Sequence, residues 1–126
     1  MRNLGVFGPA EIAQEDLKVL GTSLGGRELG PTELLFGEIP DEAYLGLETS
    51  LSGGCFDDEE FRTLQNLLGY PPASYIGIHM GRTPQAFDRA LEIARQIQKR
   101  WGGQIDYSGA GGELDDPFQP PRGTHK

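Results

Sequence analysis

A chain of 126 residues suits one domain around one core, and 37% apolar residues with 19 glycines leave part of it to loops. The net charge of −8 is uneven: residues 1–60 hold thirteen acidic and three basic side chains, and residues 61–126 hold six and eight. An acidic first half argues against a nucleic-acid surface there, since phosphate binding needs cations, and it suits a basic protein partner.

In the first 30 residues Val6 and Phe7 fit a short strand. Pro9 to Leu20 fits a helix with Pro9 in its first turn, an N-terminal extension whose place is open. Gly25-Gly26 and Gly30-Pro31 break the chain. Leu34-Leu35-Phe36 and Ala43 to Thr49 then read as strands of one hairpin, turning through Glu38 to Glu42. Gly53-Gly54 closes this part. Asp57, with Glu60 three residues on, makes a capping box ahead of apolar Phe61, Leu64, Leu67 and Leu68. Gly69 and Pro71-Pro72 stop that helix.

Tyr75 to Met80 is the next strand. Thr83 as N-cap and Pro84 at the first turn start a helix to Trp101, with Phe87, Ala90, Leu91, Ala94, Ile97 and Trp101 on one stripe. Arg95, Lys99 and Arg100 lie toward its C-terminus, where they complement the helix dipole. Gly102-Gly103 ends it, and Gln104 to Tyr107 is a final strand. From Gly109 the composition shifts to Gly, Pro and acidic residues without an apolar period. One domain over 1–108 with a mobile tail over 109–126 follows. Strand-helix-strand units predict parallel pairing through right-handed crossovers. The expected class is α/β (α+β): a two-layer sandwich with a ferredoxin-like sheet of about four to five strands and two main helices on one face.

Two strands are nearly alike: Tyr44-Leu45-Gly46-Leu47-Glu48 and Tyr75-Ile76-Gly77-Ile78-His79. Their period of two sends the aliphatic residues to a core and the tyrosines, glycines, Glu48 and His79 to the other face. Tyrosine brings contact area with a polar tip. A strand glycine marks close approach of another group, either a partner or the first 30 residues folded back over the face.

The chemistry-bearing residues form no constellation. His79 has no positioned partner for acid–base work and no neighbouring ligand cluster for a metal. Cys55, the single cysteine, has no partner for an internal disulfide and suits a reducing compartment and a structural role. Gly81-Arg82-Thr83-Pro84 is a helix start able to meet an anion. It lacks a P-loop lysine and G-x-G-x-x-G spacing, and capping accounts for Thr83 and Pro84. Asp57-Asp58-Glu59-Glu60 lacks the ligand spacing of a calcium loop. No catalytic, cofactor or metal residue is therefore expected. With no signal-like or membrane-length apolar run, the expected location is the cytoplasm, away from membranes.

The helix start "DDEEFRTLQNLLGYPP", the strand "YIGIHMGRTP" and the helix ending "RWGGQIDYSG" give the stretch from Ile39 to Gly109 its character. It resembles the small, acidic, single-domain immunity-type proteins encoded beside polymorphic toxins, including those of type VI secretion and contact-dependent systems. The resemblance implies a protein that binds a cognate toxin effector and blocks its active site, with no catalysis and no cofactor. The expected contact residues are Asp41, Glu42, Tyr44, Glu48, Asp57, Asp58, Glu59, Glu60, Tyr75 and His79. Two other readings stand beside it. One is an enzyme or ligand-binding domain using Arg82, Thr83 and His79, which requires a pocket joining them. The other is a homodimeric scaffold pairing through the tyrosine face.

Overall fold

Period-two stretches become strands and the capped, striped stretches become helices. The computed structural model describes residues 2–49, 51, 57–111 and 117–119. In chain order these form β1 (Arg2–Gly8), α1 (Gln14–Ser23), β2 (Arg27–Gly30), β3 (Glu33–Phe36), β4 (Ala43–Gly46), α2 (Asp58–Leu68), β5 (Ser74–Met80), α3 (Pro84–Trp101) and β6 (Gln104–Asp106), then a 3-10 turn Ser108–Ala110. Cys55 and the Gly53-Gly54 break lie outside the described residues, as does most of the expected tail.

The protein is α+β. Its six-stranded sheet runs β2-β3-β4-β5-β1-β6, and each neighbouring pair is antiparallel. The strand count exceeds the expected four to five, and the expected parallel pairing does not occur. β4 and β5 are antiparallel neighbours although α2 joins them. β5 and β6 run the same way, but β1 lies between them. The residues expected to form an N-terminal extension supply that intervening strand. The expected β3–β4 hairpin is present, with Leu34 opposite Leu45.

One sheet face is aliphatic. Leu4, Val6, Leu34, Phe36, Leu45, Ile76, Ile78 and Ile105 lie in a single buried cluster with Phe87, Ile93 and Ile97 of α3. Each large side chain so buried contributes about 1.5–3 kcal/mol. α1 joins the same layer: its Leu17 is buried in the cluster, and its Gly21 lies against the side chains of Leu34 and Leu45. The helices of this layer are thus α1 and α3, where the sequence suggested α2 and α3. Of the α2 stripe only Leu68 is buried, outside the main cluster, and Leu67 is 49% exposed.

The caps form as read. Asp57 and Glu60 complete their capping box, and Gly69 takes the left-handed conformation at the end of α2. The Thr83 hydroxyl accepts from the Ala86 N–H at 3.0 Å and donates to the Asp41 carboxylate at 2.6 Å. Arg89 Nε donates to the Asp41 carbonyl at 3.0 Å. The loop before β4 is thereby tied to the start of α3. Thr83→Ala is expected to lower stability by about 1–2 kcal/mol in urea unfolding. Thr83→Ser is expected to keep most of it.

Candidate partner-binding face

The second sheet face carries the odd residues of β1 and β5 and the even residues of β4. The strand register sets Glu33 opposite Gly46, Gly77 opposite Gly5, and Gly5 opposite Asp106. Continuing the Tyr44–His79 and Leu45–Ile78 pairs by one step sets Gly46 opposite Gly77. A row of three glycines therefore crosses the middle of the sheet between two carboxylates. Leu35, Tyr44, His79 and Asn3 form the row on one side of it. Tyr75 and Phe7 flank it on the other.

The three glycines have different causes. A Cβ on Gly5 would overlap the Tyr75 ring, which lies across it. A Cβ on Gly77 would stand 3.9 Å from that ring, and one on Gly46 would stand 3.4 Å from the Gly77 carbonyl oxygen. Gly5 leaves the space that the Tyr75 ring occupies. Gly46 and Gly77 are not required by any described neighbour and leave an open slot beside Tyr44 and the exposed His79.

The Tyr75 half of the face is filled from inside. Phe7 packs on Tyr75 with ring centroids 4.7 Å apart, and Phe118 meets Phe7 edge-on at 6.2 Å. The Tyr107 N–H donates to the Pro117 carbonyl at 2.6 Å. Phe118 and Pro117 belong to the stretch expected to be a mobile tail, and Ala110 within it is buried. Cover over this face thus comes from the C-terminal segment, whereas the alternative weighed from sequence was cover by the first 30 residues.

The expected contact residues separate into three places. Tyr44 and His79 lie around the open half, Tyr75 lies in the filled half, and Glu48 is exposed beyond the end of β4. Asp57, Asp58, Glu59 and Glu60 are exposed at the start of α2. Asp57, Glu59 and Glu60 line a cavity of about 340 Å³ there with Thr63, Leu64 and Leu67. Asp41 and Glu42 lie in the loop leading into β4. Asp41 is engaged by Thr83, and Glu42 is buried at 7% exposure, which corrects its reading as a surface carboxylate.

A cavity of about 410 Å³ at that end is lined by Ile39, Pro40, Glu42, Met80, Gly81 and Arg82. Arg82 lines it, and Thr83 and His79 do not. Among the described residues no group of three or more His, Cys, Asp or Glu is placed to hold a metal ion. No helix among them is long and apolar enough to cross a membrane. Sequence reasoning missed Gly5, Glu33, Leu35, Phe7 and Asp106 as members of the face. One signal was present: Leu4-Gly5-Val6 repeats the apolar-Gly-apolar triplet of the twin strands.

The tyrosines share one electrostatic trait. Burial raises the Tyr75 pKa, with the Asp106 charge adding to it. Burial likewise raises Tyr44, followed by the charge and hydrogen bond of Glu42 and the charge of Glu33. Tyr70 and Tyr107 are also raised by burial, opposed respectively by a backbone hydrogen bond at Gln104 and by the Arg95 charge. The chain matches no protein-family model, and comparison with curated proteins and with solved structures finds no match.

Two measurements follow from this geometry. Gly5→Ala is expected to destabilise the fold by at least about 1 kcal/mol, because the Tyr75 ring must leave its place. Gly77→Ala is expected to be neutral or stabilising by up to about 1 kcal/mol, and thermal unfolding of the two variants distinguishes them. A phenol whose folded pKa lies above its unfolded value stabilises the fold fully below pH 10, the ordinary tyrosine value. That contribution is lost as pH rises from there through the folded pKa. Stability is therefore expected to fall above pH 10, with phenolate absorbance in the folded protein rising later than in the unfolded chain.

Proposed function

We propose that the protein works by binding: it holds a bacterial toxin domain on its outer sheet face and blocks the toxin's active site, as an immunity-type protein does, with no chemistry of its own. The observation that carries this reading is the slot at Gly46 and Gly77, two strand glycines that no described internal neighbour demands. Such glycines suit close approach by another chain. Tyr44 and His79 supply contact groups with polar tips beside the slot. Glu33 and Glu48 supply charge for a basic toxin surface, and the acidic start of α2 from Asp57 to Glu60 adds to the same field. The reading places the protein in the cytoplasm, with no cofactor, nucleic acid or membrane as partner.

We also infer that β4-β5-β1-β6, with α1 and α3 as crossover helices, is a ferredoxin-like core to which the β2–β3 hairpin and α2 are additions. That arrangement hosts many unrelated functions, so the face and not the fold supports the reading.

Coexpression with the product of a toxin gene beside its own is expected to yield a one-to-one complex. Gly77→Glu and Tyr44→Ala are expected to weaken that complex about tenfold or more while thermal unfolding shows both variants folded. No binding to a neighbouring gene product at micromolar concentration removes the reading. Binding unchanged by both variants removes the face.

A further inference from the structure

Among the described residues Glu42 is the carboxylate that is buried with an oxygen left unpartnered. It is 7% exposed, and its Oε1 has no hydrogen-bond partner among the described residues. Such an oxygen destabilises the free protein unless something supplies a donor. Its position ties it to the outer face. The Gly81 N–H donates to the Glu42 carbonyl at 3.0 Å, which extends the β4–β5 pairing by one residue beyond Ala43 and Met80. Alternation then puts the Glu42 side chain on the same face as Tyr44, whose phenol feels the Glu42 charge.

The absent side chain of Gly81 brings two acceptors to one spot. A Cβ there would overlap the Pro40 carbonyl oxygen and stand 2.6 Å from Glu42 Oε1. Pro40 and Glu42 both line the cavity of about 410 Å³, together with Ile39, Arg82 and the fully buried Met80. The cations nearby are otherwise placed. Arg2 Nη2 donates to the carbonyls of Thr83 at 3.0 Å and Gly81 at 3.5 Å and its guanidinium lies over the Phe87 ring, while its Nε is buried without a partner among the described residues. Arg82 lines the cavity but is exposed and makes no ion pair with Glu42; the ion pair found among the described residues joins Lys18 and Glu28.

We propose that this cavity receives an arginine side chain of the partner, its guanidinium on Glu42 Oε1 and the Pro40 carbonyl and its stem along Ile39 and Pro40. A guanidinium presents several donors in one plane, which suits two acceptors side by side. Its methylene stem suits apolar walls. The proposal rests on the outer face being the partner-binding face and adds the chemistry of the anchor.

The test is a titration of the full chain with N-acetyl-arginine amide, followed by amide chemical shifts. Saturable shifts at Glu42, Gly81 and Arg82 are expected. They are expected to be absent with N-acetyl-citrulline amide, which has the same shape without the charge, and with the Glu42→Gln variant. Equal shifts with citrulline, or no saturable shifts at these residues, overturn the proposal without recourse to any variant. In the toxin complex, Glu42→Gln is expected to weaken binding at least about 30-fold. A complex that Glu42→Gln leaves unchanged but Gly77→Glu breaks overturns the cavity and keeps the face. Arginine-specific shifts in a protein that binds no neighbouring toxin overturn the face reading instead.

Discussion

The chain from β5 through α3 to β6 ends with β6 running the same way as β5, one strand's width away. β1 occupies that gap, antiparallel to both, through seven residue pairs with β5 and three with β6. Leu4 and Val6 are fully buried there, at the centre of the aliphatic face. Asn3, Gly5 and Phe7 occupy the outer face by the same alternation. Core and candidate site thus depend on one pairing, between the first residues described and residues 74–80 and 104–106. Its contacts are long-range, so the sheet closes only after most of the chain is available, a topology that favours slow folding.

Once β1 is in place the two faces acquire different constraints. On the aliphatic side the strands and α3 exclude water, and Gly21 of α1 allows the helix to approach Leu34 and Leu45 closely. On the other side Tyr75 lies over Gly5 and draws in Phe7 and Phe118. The edges are blunted: β6 is three residues long, and β2 carries Arg27 and Glu28, both exposed. Short, charged edges discourage strand addition. That leaves the open half of the outer face, and not a sheet edge, as the better surface for a partner.

Much of this was legible in local chemistry. The Asp57–Glu60 box, the Thr83 cap and the stripe of α3 depend on nearest turns, and the structure keeps them all. β2 was hidden because Arg27, Glu28 and Leu29 are all exposed on an edge and show no alternation, and glycines flank them. The stripe of α2 is real but largely unburied, because periodicity reports what a helix could bury and not what the fold brings to it. Parallel pairing failed as an expectation because a strand-helix-strand unit does not say which strand fills the gap. The glycine row was half visible: two of its members stand in the twin strands, and only the position of β1 supplies the third. Glu42 looked like a surface carboxylate because it precedes the strand, and its burial comes from pairing with Gly81 and from the loop bearing Ile39 and Pro40.

Two features of the outer face lower the stability of the free protein without an internal use. A strand-interior glycine costs roughly 0.5–1 kcal/mol relative to alanine, and Gly46 and Gly77 each have room for a Cβ. The unpartnered Glu42 oxygen adds a further cost of about 1–3 kcal/mol. Tyr44 borders both, next to the slot on one side and subject to the Glu42 charge on the other. A partner that settles over Tyr44 therefore covers the carboxylate as well. Removing that carboxylate further from water without supplying a cation opposes binding. The same group that weakens the free fold thus discriminates between partners, favouring one that brings a positive charge to the cavity over one that only fits the slot.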